Sequence, residues 1–124
     1  MFEEPGMLNV LLLEDEMLIA LDLELTLREL GADEVYPVAT VSQAITALES
    51  GNITGAIVDY NLGGETSEPV LMELEARKIP FVVMSGYPDS SYLGDGTRDW
   101  PMLPKPAGLS ALREVLASMK ASKS

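Results

Sequence analysis

Leu8-Asn9-Val10-Leu11-Leu12-Leu13-Glu14-Asp15-Glu16 passes in one step from six almost wholly apolar residues to three acids. A run that short and dense suits a strand buried on both faces, as in a parallel sheet covered by helices. The acids then mark the strand's carboxyl end. On the amino side, Met1-Phe2-Glu3-Glu4-Pro5-Gly6 reads as a short leader closed by a Pro-Gly breaker. On the carboxyl side, a helix-like stretch runs to Leu30, densely packed with Leu18, Leu21, Leu25 and other apolar residues, and Gly31 supplies a stop.

The strand–helix unit then recurs along the chain. Glu34 to Val38 is a second, weaker strand, and Ser42 can cap a helix running to about Ser50, closed by Gly51-Asn52. Ala56-Ile57-Val58 is a third buried strand that leads straight into Asp59. The loop Asn61-Leu62-Gly63-Gly64 precedes a helix from about Ser67 to Arg77, and Phe81-Val82-Val83-Met84 is a fourth strand. Pro88 to Asp99 is rich in Gly, Asp and Ser and predicts at most a frayed turn or two of helix. Met102-Leu103 is a short fifth strand between Pro101 and Pro104. Leu109 to Lys120 is an amphipathic helix with Leu112, Val115, Leu116 and Met119 on one face. Such alternation implies a doubly wound α/β sheet, in which function collects at the carboxyl ends of the strands.

Composition narrows the chemistry. The chain has 124 residues, enough for one domain, and 47% of them are apolar, enough for a core. It contains no cysteine and no histidine, which excludes disulfides, thiolate or imidazole zinc sites, and His-centred catalysis. Twenty Asp and Glu stand against eight Lys and Arg. That field repels phosphate backbones, so no direct nucleic-acid binding is expected, whereas a cation or a basic protein patch is suited. No apolar run reaches membrane-spanning length and the acidic start is unlike a signal peptide, so a cytoplasmic protein without membrane contact is expected.

The strand ends carry Glu14 and Asp15, then Asp59, then Ser85, then Lys105. If those strands are neighbours, three carboxylates, a hydroxyl and an ammonium meet in one crevice. Two like charges about 4 Å apart cost on the order of 4 kcal/mol at an effective dielectric of 20. A hard divalent cation such as Mg²⁺, which takes oxygen ligands and bridges carboxylates to phosphoryl groups, resolves that repulsion. Asp59 could then serve as a carboxylate nucleophile, with Lys105 and Ser85 pairing with phosphoryl oxygens.

On these residues the chain resembles, over essentially its whole length, the receiver domains of two-component response regulators. The carriers are Glu14-Asp15 after an apolar strand, Asp59 after Ala56-Ile57-Val58, Ser85 after Phe81-Val82-Val83-Met84, and Lys105-Pro106. The resemblance implies a flavodoxin-like (βα)5 fold with sheet order 2-1-3-4-5, spanning residues 7–121 with short tails at 1–6 and 122–124. It implies Asp59 as phosphoacceptor, and Asp15 and Asp59 as Mg²⁺ ligands with the backbone carbonyl of Asn61. Glu14 would act mainly through a metal-bound water. Ser85 takes the place of the switch Ser or Thr and Lys105 that of the invariant lysine, joined to Pro106 by a cis peptide. The implied partners are a histidine kinase or phosphotransfer protein and a downstream target.

The chain departs from the common pattern in three places. Met102 stands where such domains usually have an aromatic three residues before the lysine, with Trp100 nearby as a core or rim packing residue. The loop after Asp59 reads Leu62-Gly63-Gly64-Glu65-Thr66 without the usual Met-Pro. Ser85-Gly86-Tyr87 partly matches the Phe-Ala-Thr-Gly-x-Tyr motif of an alphaproteobacterial receiver class, which lacks the switch aromatic and has a loosened fourth helix. Tyr87 there packs against its surroundings or shields an acyl phosphate from water, and the face of that helix, the fifth strand and the last helix carries the output.

Rival sites fail on spacing. A calcium loop starting at Asp59 would need Glu where Val70 stands, and a nucleotide-binding turn would need glycines where Glu14-Asp15-Glu16 stand. Two other classes keep the fold: a pseudo-receiver that never turns over phosphate, and an isolated Mg²⁺-dependent phosphatase. The switch reading expects no enzyme acting on an external substrate. It leaves open a stand-alone receiver or one cut from a larger regulator or hybrid kinase.

Overall fold

A computed structural model describes residues 7–85, 100–105 and 107–122. Strands β1 (Asn9–Leu13), β2 (Glu34–Val38), β3 (Gly55–Asp59), β4 (Phe81–Ser85) and β5 (Met102–Pro104) form one parallel sheet in the order β2-β1-β3-β4-β5. Helices α1 (Met17–Glu29), α2 (Val41–Glu49), α3 (Glu68–Ala76) and α4 (Leu109–Ser122) cover its faces. This is the flavodoxin-like, doubly wound order anticipated above. The leader, the Pro88–Asp99 stretch, Tyr87 and the Lys105–Pro106 peptide lie outside the described residues.

The period-two alternation of the strands sorts the core into two layers. Leu11, Leu13, Ala56, Val58 and Val83 pack beneath α2 and α3 with Leu48, Leu71 and Leu74. Val10, Leu12, Ile57, Val82 and Met84 face α1 and α4, meeting Leu23, Leu27, Leu112, Leu116 and Met119. β1 and β3 sit centrally and are buried on both faces, which is why they read as continuous apolar runs. β2 is an edge strand, where the missing N–H of Pro37 is tolerated.

The helix ends differ in detail from the sequence reading. Thr40, not Ser42, caps α2: its hydroxyl accepts from Gln43 N at 3.1 Å. α1 stops one residue before Leu30, and Gly31 follows in the left-handed region at φ 116° while Ala32 N returns to Leu27 O at 3.0 Å. α4 continues to Ser122, two residues past the expected end.

α1 brings the largest correction. Its buried side chains are Ala20, Leu23 and Leu27. Met17, Leu18, Leu21 and Leu25 instead lie 82%, 81%, 52% and 56% exposed. At about 100° per residue, Leu21 and Leu25 stand about 100° and 140° round the helix from Ala20, beyond the reach of the sheet. The helix is apolar on two sides, and only one of them belongs to the core.

Candidate functional site

The carboxyl ends of β1, β3, β4 and β5 form one rim of the sheet. Parallel pairing sets Leu13 beside Val58, Asp59 beside Met84, and Ser85 beside Pro104. Each chemically active residue then follows its strand by zero to two positions. Glu14, Asp15, Asp59, Ser85 and Lys105 are thus brought to the same rim.

Glu14 and Asp59 are buried, 2% and 4% exposed, at the floor of the site, while Asp15 is exposed above them. One carboxylate oxygen from each of the three lies within 4.8 Å of the others. Lys105 Nζ answers that charge, donating to Asp59 Oδ2 at 3.1 Å and to Glu14 Oε1 at 3.4 Å. The second oxygen of Glu14 accepts from Glu16 N at 3.1 Å. Lys105 is held over the acids through its own backbone, whose N donates to Ser85 O at 3.0 Å. Ser85 is itself buried at the end of β4.

Burial dominates the electrostatics. It pushes the carboxyls of Glu14 and Asp59 above their ordinary values of 4.5 and 3.8. For Glu14 the hydrogen bond from Glu16 N opposes that rise and the charge of Asp59 adds to it. For Asp59 the Lys105 hydrogen bond and charge, with a backbone hydrogen bond from Asn61, pull the other way, and Asp15 adds repulsion. Burial alone would lower the Lys105 ammonium, but its contacts with Asp59 and Glu14 outweigh that and hold it above its usual 10.5. One lysine faces three acids.

The loop after Asp59 folds as a tight hairpin. Asn61 and Thr66 pair in antiparallel fashion, with Leu62 N donating to Glu65 O and Ser67 N donating to Tyr60 O, each at 2.9 Å. In that pattern the Asn61 carbonyl takes no part in the pair's own hydrogen bonds. Gly63 turns at φ 80°, a value closed to proline's ring, which is why this loop cannot carry Pro there. Glu65 reaches across to the start of α2, its Oε2 accepting from Val41 N at 3.4 Å.

The donor set fits a hard divalent cation: three carboxylates, all oxygen, in a chain without cysteine or histidine. Beside the acids, Leu18, Ile19, Asp22, Leu23, Met84, Lys105 and Ala107 line a cleft of about 490 Å³. Sequence reasoning missed that cleft and the placement of Gly63 against Asp15. The Gly63-Gly64 pair was the available signal for the latter.

No protein-family model and no curated protein matches the chain. Solved structures do. The solution structure of SdrG from Sphingomonas melonis Fr1 is 40% identical, covering 92% of this chain and 97% of that one, with a TM-score of 0.76. The BeF3-activated conformation of SdrG from Pseudomonas melonis Fr1 is 39% identical over 95% and 99% of the two chains, TM-score 0.76. The PhyR response regulator REC domain of Erythrobacter litoralis is 28% identical over 92% and 90%, TM-score 0.79.

Proposed function

The chain belongs to the receiver domains of response regulators, and from that premise we propose that it is a phosphorylation-controlled switch with Asp59 as acceptor. In this reading an oxygen of the Asp59 carboxylate attacks phosphorus on a phosphohistidine donor. The new O–P bond forms as the donor's N–P bond breaks, and the imidazole leaves with the electron pair. Lys105, already at Asp59, would pair with a phosphoryl oxygen once the transfer makes Asp59 an acyl phosphate. Ser85, at the end of the neighbouring strand, would donate to another.

Mg²⁺ is the cofactor this reading requires, held by Asp15, Asp59 and the Asn61 carbonyl, with Glu14 contributing through water. When bound, it would supply charge neutralisation for three acids and an incoming phosphoryl group. The single observation that carries the proposal is Lys105 reaching both Asp59 and Glu14 beside three clustered carboxylates. The BeF3-activated conformation solved for SdrG adds support from a relative.

A histidine kinase or phosphotransfer protein is the proposed donor, in the cytoplasm. Its approach would run over exposed apolar side chains, since Leu18 lines the cleft beside Lys105 and Met17 the hollow beside Glu14 and Asp15. Among the described residues, no helix is long and apolar enough to cross a membrane.

The test is intact mass after incubation with a small phosphodonor and Mg²⁺. A gain of one phosphoryl group, lost in Asp59→Asn and on chelation, is the expected result. No gain with either a small donor or a kinase would favour a pseudo-receiver that keeps the fold without turning over phosphate.

A further inference from the structure

Gly63 lies close to one carboxylate of the acidic cluster, that of Asp15. A methyl group built on its Cα would come within 3.2 Å of Asp15 Oδ2, closer than such atoms ordinarily approach. The neighbouring Gly64 has nothing within 4 Å of the same position. Two adjacent glycines in one turn therefore differ in kind: a side chain on one would crowd a carboxylate of the site, and on the other it would face open space.

The turn cannot easily back away from that contact. Leu62, just before it, is buried, and its N–H is fixed to Glu65 O at 2.9 Å. Asn61 and Thr66 close the hairpin below. Glu65 fastens the far side to the first residue of α2. Asp15, by contrast, is exposed and follows the last residues of β1 on an open stretch before α1. When a rigid turn and a free carboxylate crowd each other, the carboxylate moves.

We infer that Gly63 is a positioning residue for the metal site, its bare Cα leaving Asp15 the room to hold its carboxylate in the ligand cluster with Asp59. This rests on the metal reading above and deepens it: the residue sets how tightly the divalent cation is held without touching it. Residues that orient a ligand from behind typically change metal affinity by about 10-fold or more. Since Asp15 is exposed and free to turn, the effect of a side chain at Gly63 falls mainly on affinity.

The experiment is calorimetric titration of MgCl2 into the metal-free full chain, for wild type, Gly63→Ala, Gly63→Asn and Gly64→Ala. Thermal unfolding of each is measured without metal. Asn accepts positive φ far better than Ala, so the pair separates backbone strain from crowding of Asp15. The expected result is affinity lowered about 10-fold in both Gly63 variants and within about twofold of wild type in Gly64→Ala. If Gly63→Ala does not fold, Gly63→Asn carries the same comparison. Wild-type affinity in either Gly63 variant would overturn the inference, as would an equal loss in Gly64→Ala. If wild type itself does not bind Mg²⁺, the metal reading falls and this inference with it, an outcome distinct from wild-type binding that Gly63 does not affect.

Discussion

The indole Nε1 of Trp100 donates to Glu75 Oε2 over 2.9 Å, tying the approach to β5 to the last turn of α3. The ring is 6% exposed, and a buried indole N–H needs a partner. Trp100→Phe keeps most of the ring and removes the donor. It should lower stability by about 1 kcal/mol in urea unfolding and leave Mg²⁺ affinity unchanged. A loss confined to metal binding would contradict this structural role.

The two sides of α1 should separate cleanly under mutation. Leu23→Ala opens the layer shared with Leu12 and Leu27 and should cost about 2–4 kcal/mol. Leu21→Ala, two residues earlier but half exposed, should change stability by no more than about 0.5 kcal/mol. Equal losses at both sites would mean that Leu21 is packed.

Asp59→Asn should stabilise the metal-free chain. Glu14, Asp15 and Asp59 crowd one lysine, and the variant removes one of the three charges while Lys105 keeps its contact with Glu14. The gain is on the order of 1–2 kcal/mol after allowance for the lost Lys105 pair. Saturating Mg²⁺ should narrow or reverse the difference, because wild type alone keeps the full ligand set. Denaturant unfolding with and without chelator reads both effects.

Protons should act on this site in two opposite directions. Glu14 and Asp59 titrate above their ordinary values in the folded chain, mainly through burial, so folded protein binds more protons than unfolded protein within that window. The contribution of these two groups to metal-free stability therefore grows as pH falls through the raised values towards the ordinary 4.5 and 3.8. Mg²⁺ competes with the same protons, so its affinity should fall over that window. Unfolding and metal titrations stepped from neutral to about pH 5 should give opposite slopes. Parallel slopes would place the titrating groups elsewhere.

Much of this site is written along the chain, because parallel strands with helical crossovers place their carboxyl ends together. Once Leu8–Leu13, Ala56–Val58 and Phe81–Met84 read as buried strands, the residues after them had to share a rim. Helix faces were less legible. From Leu18 to Leu27 apolar residues fall on nearly every side, so periodicity could not tell the core stripe of Ala20, Leu23 and Leu27 from the outward one. The α2 cap was misplaced because Thr40 and Ser42 are both capable, and the choice rested on which N–H the fold left within reach. A contact such as Trp100–Glu75 joins distant segments and has no local signature.

The outward leucines of α1 also set how the protein behaves in a tube. Met17, Leu18, Leu21 and Leu25 form a greasy strip on a molecule with a formal net charge of −12, so mutual repulsion opposes the pairing of two such strips. Salt shortens the reach of that repulsion from about 10 Å at 0.1 M to about 3 Å at 1 M. Concentrated samples should therefore stay clear in dilute buffer and cloud or self-associate on salting, and preparations for crystallisation or spectroscopy are best held at low ionic strength.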